Sequence, residues 1–193
     1  VSRTQAQANI IFERTKAHLV EDSPLISDFV DYSKSSAPYK KEFSKTRLFM
    51  HDGNEFRSMS TGVAQNELAG EKLLGFGCTT LSIDESPSIP DKVYKEKLLR
   101  VLGSRGKLLL ESGTPHHRNH FYRSWHDSGY TRYHVGWMEA VKEGRLNEEF
   151  VLNQKRIMTA TQFQVWYEAE FPSQAEDALF NLDECERNLI NPM

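Results

Sequence analysis

Two short apolar runs near the middle of the chain each end in a group of polar residues. The first run covers residues 79–83 and the second covers residues 107–111, and residues 91–102 between them have the apolar spacing of a helix. A helix of this length is what joins two parallel strands of one sheet. Because ligands bind beyond the carboxyl ends of such strands, we expect the residues that follow the two runs to share one rim. These residues are Asp84, Glu85, Ser112, Gly113 and Thr114.

Helical and hairpin patterns account for most of the remaining sequence. A helix is predicted from Thr4, which can cap it, to about Val20, with Ala8 and Ile11 on its apolar stripe. The other predicted elements are a hairpin of residues 47–50 and 55–59 around Asp52-Gly53, a short aromatic helix over residues 116–126, a strand over residues 132–135, and helices over residues 147–158 and 161–171.

These elements predict an α/β fold, a three-layer sandwich with a mainly parallel sheet. The chain opens on residues that resemble the end of a strand, so we expect a fragment of a longer protein whose sheet is truncated at its N-terminal strand. Backbone groups left unpaired at such an edge favour self-association. Residues 1–172 are expected to form one domain. Residues 173–193 are acidic with few apolar side chains, which is typical of a linker or the entry to a following domain.

The polar residues after the first run carry side chains suited to phosphoryl transfer. Asp84 can hold Mg²⁺, because this ion prefers a few carboxylate oxygens and keeps much of its water. Glu85 beside it can orient or deprotonate an attacking water. The competing interpretation is structural: Asp84 and Glu85 end a strand and cap the next helix, and Pro87 and Pro90 mark the break between the two elements. The second apolar run, at the spacing of a crossover connection, favours a phosphoryl-transfer site over this interpretation.

The Ser112-Gly113-Thr114 sequence after the second run can connect a bound phosphate to movement. Its two hydroxyl groups can detect a γ-phosphate by hydrogen bonding, and Gly113 lets the backbone turn sharply. The alternative is that Thr114 only caps the helix that follows Pro115.

The phosphate-binding loop of nucleotide hydrolases is not found in the sequence. No Gly-x-x-x-x-Gly-Lys-Ser/Thr pattern occurs in the 193 residues, so the backbone cradle and lysine for the β- and γ-phosphates are absent from this chain. Catalysis of phosphoryl transfer is mostly positioning and charge neutralisation. We therefore expect the chain by itself not to hydrolyse ATP at a useful rate.

Composition argues against several other classes of protein. The net charge of −3 gives no global sign of nucleic-acid or membrane binding, and no apolar run approaches the about 20 residues that span a bilayer. Cys78 and Cys185 form neither a metal-type pair nor a disulfide framework. Residues 39–43 mix basic and aromatic side chains that can contact a phosphate backbone, although a solvated loop is the favoured interpretation. Four histidines lack the spacing of a zinc site, namely His116, His117, His120 and His126.

The order of these motifs resembles the ATPase domain of the large terminase subunit of tailed viruses, the motor that pumps DNA into a prohead. Residues 79–85 resemble its Walker B strand with the catalytic glutamate, and Ser112-Gly113-Thr114-Pro115 resembles its coupling motif. The resemblance extends from Ser2 to about Phe180. Its other supports are residues 2–12, residues 119–122, and residues 163–171 with Leu179-Phe180.

The resemblance implies a P-loop NTPase-like fold of the RecA/ASCE type. It also implies an ATPase that uses ATP and Mg²⁺, with Asp84 on the metal, Glu85 as the catalytic base, and Ser112, Gly113 and Thr114 coupling hydrolysis to movement. It implies partners as well: double-stranded DNA, the portal protein, the small terminase subunit and further copies of the same chain. No membrane is involved. The expected location is the host cytoplasm and, transiently, the portal of the prohead. The family's phosphate loop is expected before this chain and its nuclease domain after it.

The sequence departs from the family at its arginines, and two other hypotheses stay open. Ala69-Gly70 stands where Arg-Gly is often found, so no arginine finger is assigned there, nor to Arg100, Arg105 or Arg118.

The first alternative is a helicase-type DNA translocase, in which an Asp-Glu strand is also followed by a Ser-x-Thr motif. The second is a non-catalytic interaction fragment, which the absent phosphate loop favours. A second RecA-like domain after this chain in the gene would favour a helicase over a terminase. A phosphate loop before this chain in the gene would exclude the non-catalytic fragment.

Overall fold

The first helix begins and ends where the sequence predicts it. In the computed structural model, which describes residues 1–31, 33, 46–62 and 70–172, helix α1 covers Gln5–Val20. The Thr4 side chain caps it by accepting a hydrogen bond from a backbone amide of the first turn. Phe12 is the large buried residue of this helix, whereas Ile11 is 37% exposed. The prediction that Ile11 faces the core is therefore wrong, because the buried stripe is rotated toward Phe12.

A short helix and a hairpin follow in the same part of the chain. Helix α2 covers Pro24–Ser27, and strands β1 (Arg47–Phe49) and β2 (Glu55–Arg57) pair antiparallel. The predicted hairpin is thus confirmed. Gly53 lies in its turn with a φ of 86°, a conformation that favours glycine. Leu48 of β1 packs with Phe12 and Val30 in a small core cluster.

Strands β3 (Thr80–Ile83) and β4 (Leu108–Glu111) are the parallel pair predicted from the two apolar runs. They pair from Thr80 opposite Leu108 to Ile83 opposite Glu111. Leu81 and Ile83 alternate with exposed residues along β3 and are buried on one face of the sheet. On the opposite face, Leu108 and Leu110 are 48% and 49% exposed.

The connection between β3 and β4 is helical, as predicted. A short 3₁₀ helix, Ser86–Ser88, comes first. A continuous helical stretch follows, made of α3 (Asp91–Val93), a π-helical segment (Tyr94–Leu98) and α4 (Leu99–Val101). Its buried side chains lie on the covered face of β3 and form the main core with it. The buried members of this core are Leu73, Leu81, Ile83, Ile89, Val93, Tyr94, Leu98 and Val101.

The first residues of the chain lie along the other edge of β3. The Val1 nitrogen donates a hydrogen bond to the Ser82 carbonyl (2.6 Å), and the Val1 carbonyl accepts one from the Asp84 amide (2.8 Å). Ser2 in turn forms a parallel bridge with Ser60. The strand-like start seen in the sequence therefore extends the parallel pairing beyond β3.

The chain divides into two compact units, Val1–Ser112 and Gly113–Met193. The second unit is helical in its described part, and three of its four described helices are capped by the side chain of the residue before them. Asn119, Asn147 and Thr159 cap with their side chains. Its helices are α5 (His120–His126), α6 (Trp137–Lys142), α7 (Glu148–Ile157) and α8 (Ala160–Trp166).

Three predicted elements of the second unit are corrected. The aromatic helix predicted over residues 116–126 begins only at His120. Residues 132–135 form no strand, because no described segment pairs with them, and Tyr133 is 86% exposed. The last helix ends at Trp166 and not at Phe171. The chain leaves it at Tyr167, whose carbonyl accepts a hydrogen bond from the Trp137 amide, and Ala169 then has a φ of 54°.

The structure confirms an α/β class with a small parallel sheet. In the described residues the sheets are two-stranded, β1 with β2 and β3 with β4, so the larger three-layer sandwich remains a prediction. No described helix is both long and apolar enough to cross a membrane. Several predictions fall outside the described residues: the basic and aromatic run at 39–43, Ala69, the segment 173–193, Cys185 and Leu179-Phe180.

Candidate functional site

The end of β3 carries two adjacent carboxylates, Asp84 and Glu85, both partly buried. The Asp84 backbone is held by its hydrogen bond to Val1. Its side chain accepts a hydrogen bond from the Ser112 hydroxyl, with 3.0 Å between Oδ1 and Oγ. The structure therefore brings Asp84 and Ser112 together across the ends of the two parallel strands.

Glu85 occupies a backbone conformation that is unusual for any residue except glycine. Its φ is 53° and its ψ is 39°, and it stands directly before the 3₁₀ helix Ser86–Ser88. The left-handed region costs an L-residue roughly 1–2 kcal/mol. Residues in such conformations persist only where their surroundings restrain them, and they are concentrated at functional sites.

Backbone hydrogen bonds continue the β3–β4 pairing past the ends of both strands. The Ser112 amide donates to the Ile83 carbonyl (2.9 Å), and the Ser86 amide donates to the Ser112 carbonyl (2.9 Å). Glu85 therefore lies in a short turn whose residues on either side are bonded to Ser112.

Glu111, the last residue of β4, accepts hydrogen bonds from two hydroxyl groups of the described residues. Its Oε2 accepts from the Ser86 hydroxyl (2.7 Å), and its Oε1 accepts from the Tyr94 hydroxyl (2.9 Å). Glu111, Ser86 and Tyr94 were not among the site residues predicted from the sequence. The signal that could have found Glu111 is a carboxylate that ends an otherwise apolar run, directly before Ser112.

The two carboxylates of the turn differ in their surroundings. Burial raises the pKa of the Glu85 carboxyl, and the neighbouring Asp84 carboxylate raises it further. A carboxylate with a raised pKa is a better proton acceptor once it is ionised. Asp84, held by the Ser112 hydroxyl, adds oxygen atoms of the kind that Mg²⁺ prefers. The turn is therefore chemically suited to hold a divalent cation and to accept a proton from water.

Gly113 and Thr114 belong to the second unit. Gly113 has a φ of 155°, which favours glycine. The Thr114 carbonyl accepts hydrogen bonds from both the backbone amide and the Nδ1 of His116 (2.8 and 2.7 Å). Asn119 caps helix α5. The alternative role of Thr114 as the cap of that helix is therefore excluded.

A cleft of about 480 Å³ in the second unit is lined in part by Gly113 and Thr114. Most of the remaining wall is apolar and comes from α6, α8 and the segments beside them. The lining residues are Gly113, Thr114, Val135, Gly136, Trp137, Ala140, Leu146, Met158, Val165, Trp166, Tyr167 and Ala169.

The arginine and histidines around α5 have structural contacts. Arg118 donates a hydrogen bond from Nε to the Pro172 carbonyl (2.9 Å), and its guanidinium lies 5.1 Å from the centre of the Tyr122 ring. His116 stacks on the Trp166 ring at 6.2 Å. Across the described ranges, no three His, Cys, Asp or Glu side chains are grouped so that they could hold a metal ion. Magnesium differs from zinc in needing only one or two protein carboxylates.

Comparison with known proteins identifies the fold. No protein-family model matches the chain, and no curated protein matches it. The chain is similar to the large terminase ATPase domain of Thermus phage P74-26, with a TM-score of 0.60 and 20% identity over 88% of this chain and 74% of that chain. An arginine-to-alanine mutant of that domain gives a TM-score of 0.59 with the same identity and coverage.

This chain therefore has the fold of a large terminase ATPase domain. The resemblance inferred from the order of its sequence motifs is confirmed as a resemblance of fold.

The backbone of Glu85 leads to a prediction about stability. Replacing Glu85 with glycine removes the left-handed strain, so we expect the free energy of unfolding to rise by about 0.5–1 kcal/mol although the carboxylate is lost. Urea denaturation of the 193-residue chain measures this change. The matched control is Glu96→Gly, at an exposed position of the π-helical segment, where glycine should lower stability by about 0.5 kcal/mol. Destabilisation of similar size in both variants would contradict the prediction.

Proposed function

We propose that this chain is part of the ATPase motor of a viral DNA-packaging terminase, which couples ATP hydrolysis to translocation of double-stranded DNA into a prohead. The observation that carries the proposal is the joining of the Asp84-Glu85 turn to Ser112, in a chain with the terminase ATPase fold. Its partners are then double-stranded DNA, the portal protein, the small terminase subunit and further copies of the chain. It acts in the host cytoplasm and transiently at the portal.

In this proposal the two carboxylates have separate roles. Asp84 binds Mg²⁺, which when present with ATP neutralises charge on the phosphates. The Asp84 carboxylate suits this ion, since it supplies hard oxygen donors and is fixed by the Ser112 hydroxyl. Glu85 orients the attacking water and accepts its proton, and its raised pKa fits a general base.

The proposal assigns the metal and base half of an ATPase site to this chain. The sequence contains no Gly-x-x-x-x-Gly-Lys-Ser/Thr pattern, so the β- and γ-phosphates are held by residues outside it. The 193-residue chain alone is therefore inactive in ATP hydrolysis, and the complete gene product is the form in which activity is measured.

Removal of the base tests the proposal directly. Glu85→Gln in the complete gene product keeps the size of the side chain but cannot accept a proton, so we expect turnover of ATP to fall about 100-fold or more. Phosphate release under saturating Mg²⁺ and ATP measures it, with exposed Glu96→Gln as the matched control. Unchanged turnover in Glu85→Gln would show that Glu85 is not the base.

The Ser112-Gly113-Thr114 sequence is proposed to couple hydrolysis to movement. The boundary between the two compact units falls between Ser112 and Gly113. Ser112 is bonded to Asp84 of the first unit, and Thr114 lines the cleft of the second unit. We propose that a change at the metal site is transmitted through Ser112 to Thr114, which lies two residues later in the chain.

Thr114→Ala separates coupling from catalysis. In the complete gene product, we expect this variant to bind ATP about as well as the wild type, since Thr114 lies outside the turn of the carboxylates, but to translocate DNA at least several-fold more slowly for each ATP hydrolysed. Nucleotide binding and DNA translocation are measured on the same preparation. Thr131→Ala, at an exposed position of the same unit, is the control. Equal losses of ATP binding and translocation would indicate a folding defect and contradict the coupling role.

A further inference from the structure

Two buried hydroxyl groups converge on the carboxylate of Glu111. Ser86 is fully buried and Tyr94 is 5% exposed, and each donates to a different oxygen of Glu111, at 2.7 and 2.9 Å. Hydrogen bonds from hydroxyl groups to an ionised carboxylate are among the stronger ones in proteins. Glu111 therefore joins the turn after β3, the helical crossover and the end of β4 at one point.

Glu85 stands between two residues that these contacts hold in place. On one side, Asp84 is bonded through its backbone to Val1 and through its side chain to Ser112. On the other side, Ser86 is bonded through its amide to Ser112 and through its hydroxyl to Glu111. A left-handed backbone relaxes unless its neighbours prevent it. Ser86 is therefore held from β4 through the Glu111 side chain as well as through its own amide.

We infer that Glu111 is a positioning residue for Glu85: by holding Ser86, it keeps the Glu85 backbone left-handed and so fixes the direction of the Glu85 carboxylate. Tyr94 holds the second oxygen of Glu111 and prevents the carboxylate from turning away from Ser86. The catalytic consequence rests on the proposed function, in which Glu85 is the base. The structural consequence does not depend on it.

The carboxylate is required because both of its oxygens are used as acceptors. A glutamine at this position has one acceptor oxygen and one amide donor. Its oxygen can accept from one hydroxyl group as Glu111 does, but the other hydroxyl group must then accept a hydrogen bond from the amide instead of donating one. A leucine has about the same size and accepts no hydrogen bond. Glu111→Gln should therefore retain part of the restraint, and Glu111→Leu should lose it.

The backbone of Glu85 can be measured in the 193-residue chain without any nucleotide. A residue with positive φ brings its amide hydrogen unusually close to its own Hα, which gives a strong intraresidue nuclear Overhauser effect. We expect this signal at Glu85 to be strong in the wild type and in the exposed control Glu96→Leu, and to fall at least twofold in Glu111→Leu. Tyr94→Phe removes only a hydroxyl group and should lower it by a smaller amount. An undiminished signal in Glu111→Leu, or in Tyr94→Phe if the leucine variant does not fold, overturns the inference.

Turnover by the complete gene product tests the catalytic consequence. We expect Glu111→Leu to lower kcat roughly 10- to 100-fold, as displacement of a catalytic group does, with KM for ATP within about twofold, and Glu111→Gln to recover part of kcat. Adding Glu111→Leu to Glu85→Gln should cause little further loss, because the base is already absent.

The two proposals fail in different ways. A normal kcat in Glu111→Leu, together with strong loss in Glu85→Gln, overturns the positioning role and leaves the proposed function intact. Equal further loss in the Glu85→Gln background also overturns it, since it indicates a general structural role. Unchanged turnover in Glu85→Gln overturns the proposed base and the catalytic part of this inference together.

Discussion

The candidate site depends on the pairing of β3 and β4 continuing past the ends of both strands. Within the strands, the pairing runs from Thr80 opposite Leu108 to Ile83 opposite Glu111. Beyond them, the hydrogen bonds of Ser112 with Ile83 and Ser86 close a short loop of backbone around Asp84 and Glu85. The carboxylates therefore do not extend freely from a strand end. They are part of a turn whose geometry is set by the next strand of the sheet.

This arrangement also explains how a strained residue persists in a small domain. The left-handed conformation of Glu85 is unfavourable locally. It is compensated by hydrogen bonds at Asp84 and Ser86 and by burial of the surrounding apolar core, in which Ile83 and Ile89 lie on either side of the turn in sequence. At functional sites, the unfavourable conformation of one residue is commonly maintained by stabilising contacts of its neighbours.

Local patterns predicted the elements well where the relevant contacts are local. The parallel pair, the hairpin and the α1 cap each follow from apolar alternation or from a residue such as Thr4 whose partner lies within one turn. The prediction for residues 132–135 is wrong because a strand requires a partner that the pattern cannot supply. The last helix ends early at Trp166, since contacts of Tyr167 with Trp137, thirty positions earlier, outweigh helix propensity.

Part of the candidate site was also predictable, because the order of strands along the chain places some of its residues together. Asp84, Glu85 and Ser112 follow apolar runs, so topology alone places them at neighbouring strand ends. The contribution of Glu111 depends on two hydroxyl groups 25 and 17 positions away in sequence. No spacing rule identifies such a pair. The left-handed backbone of Glu85 was equally invisible, because glutamate gives no signal for positive φ.

Binding of a divalent cation at the turn of Asp84 and Glu85 can be measured by paramagnetic broadening with Mn²⁺. In the isotopically labelled 193-residue chain, we expect the amide signals of Asp84, Glu85 and Ser112 to broaden at the lowest Mn²⁺ concentration, and Asp84→Asn to remove this preference. Broadening that begins at exposed carboxylates such as Asp127, or that is unchanged in Asp84→Asn, would show that the turn is not a cation site.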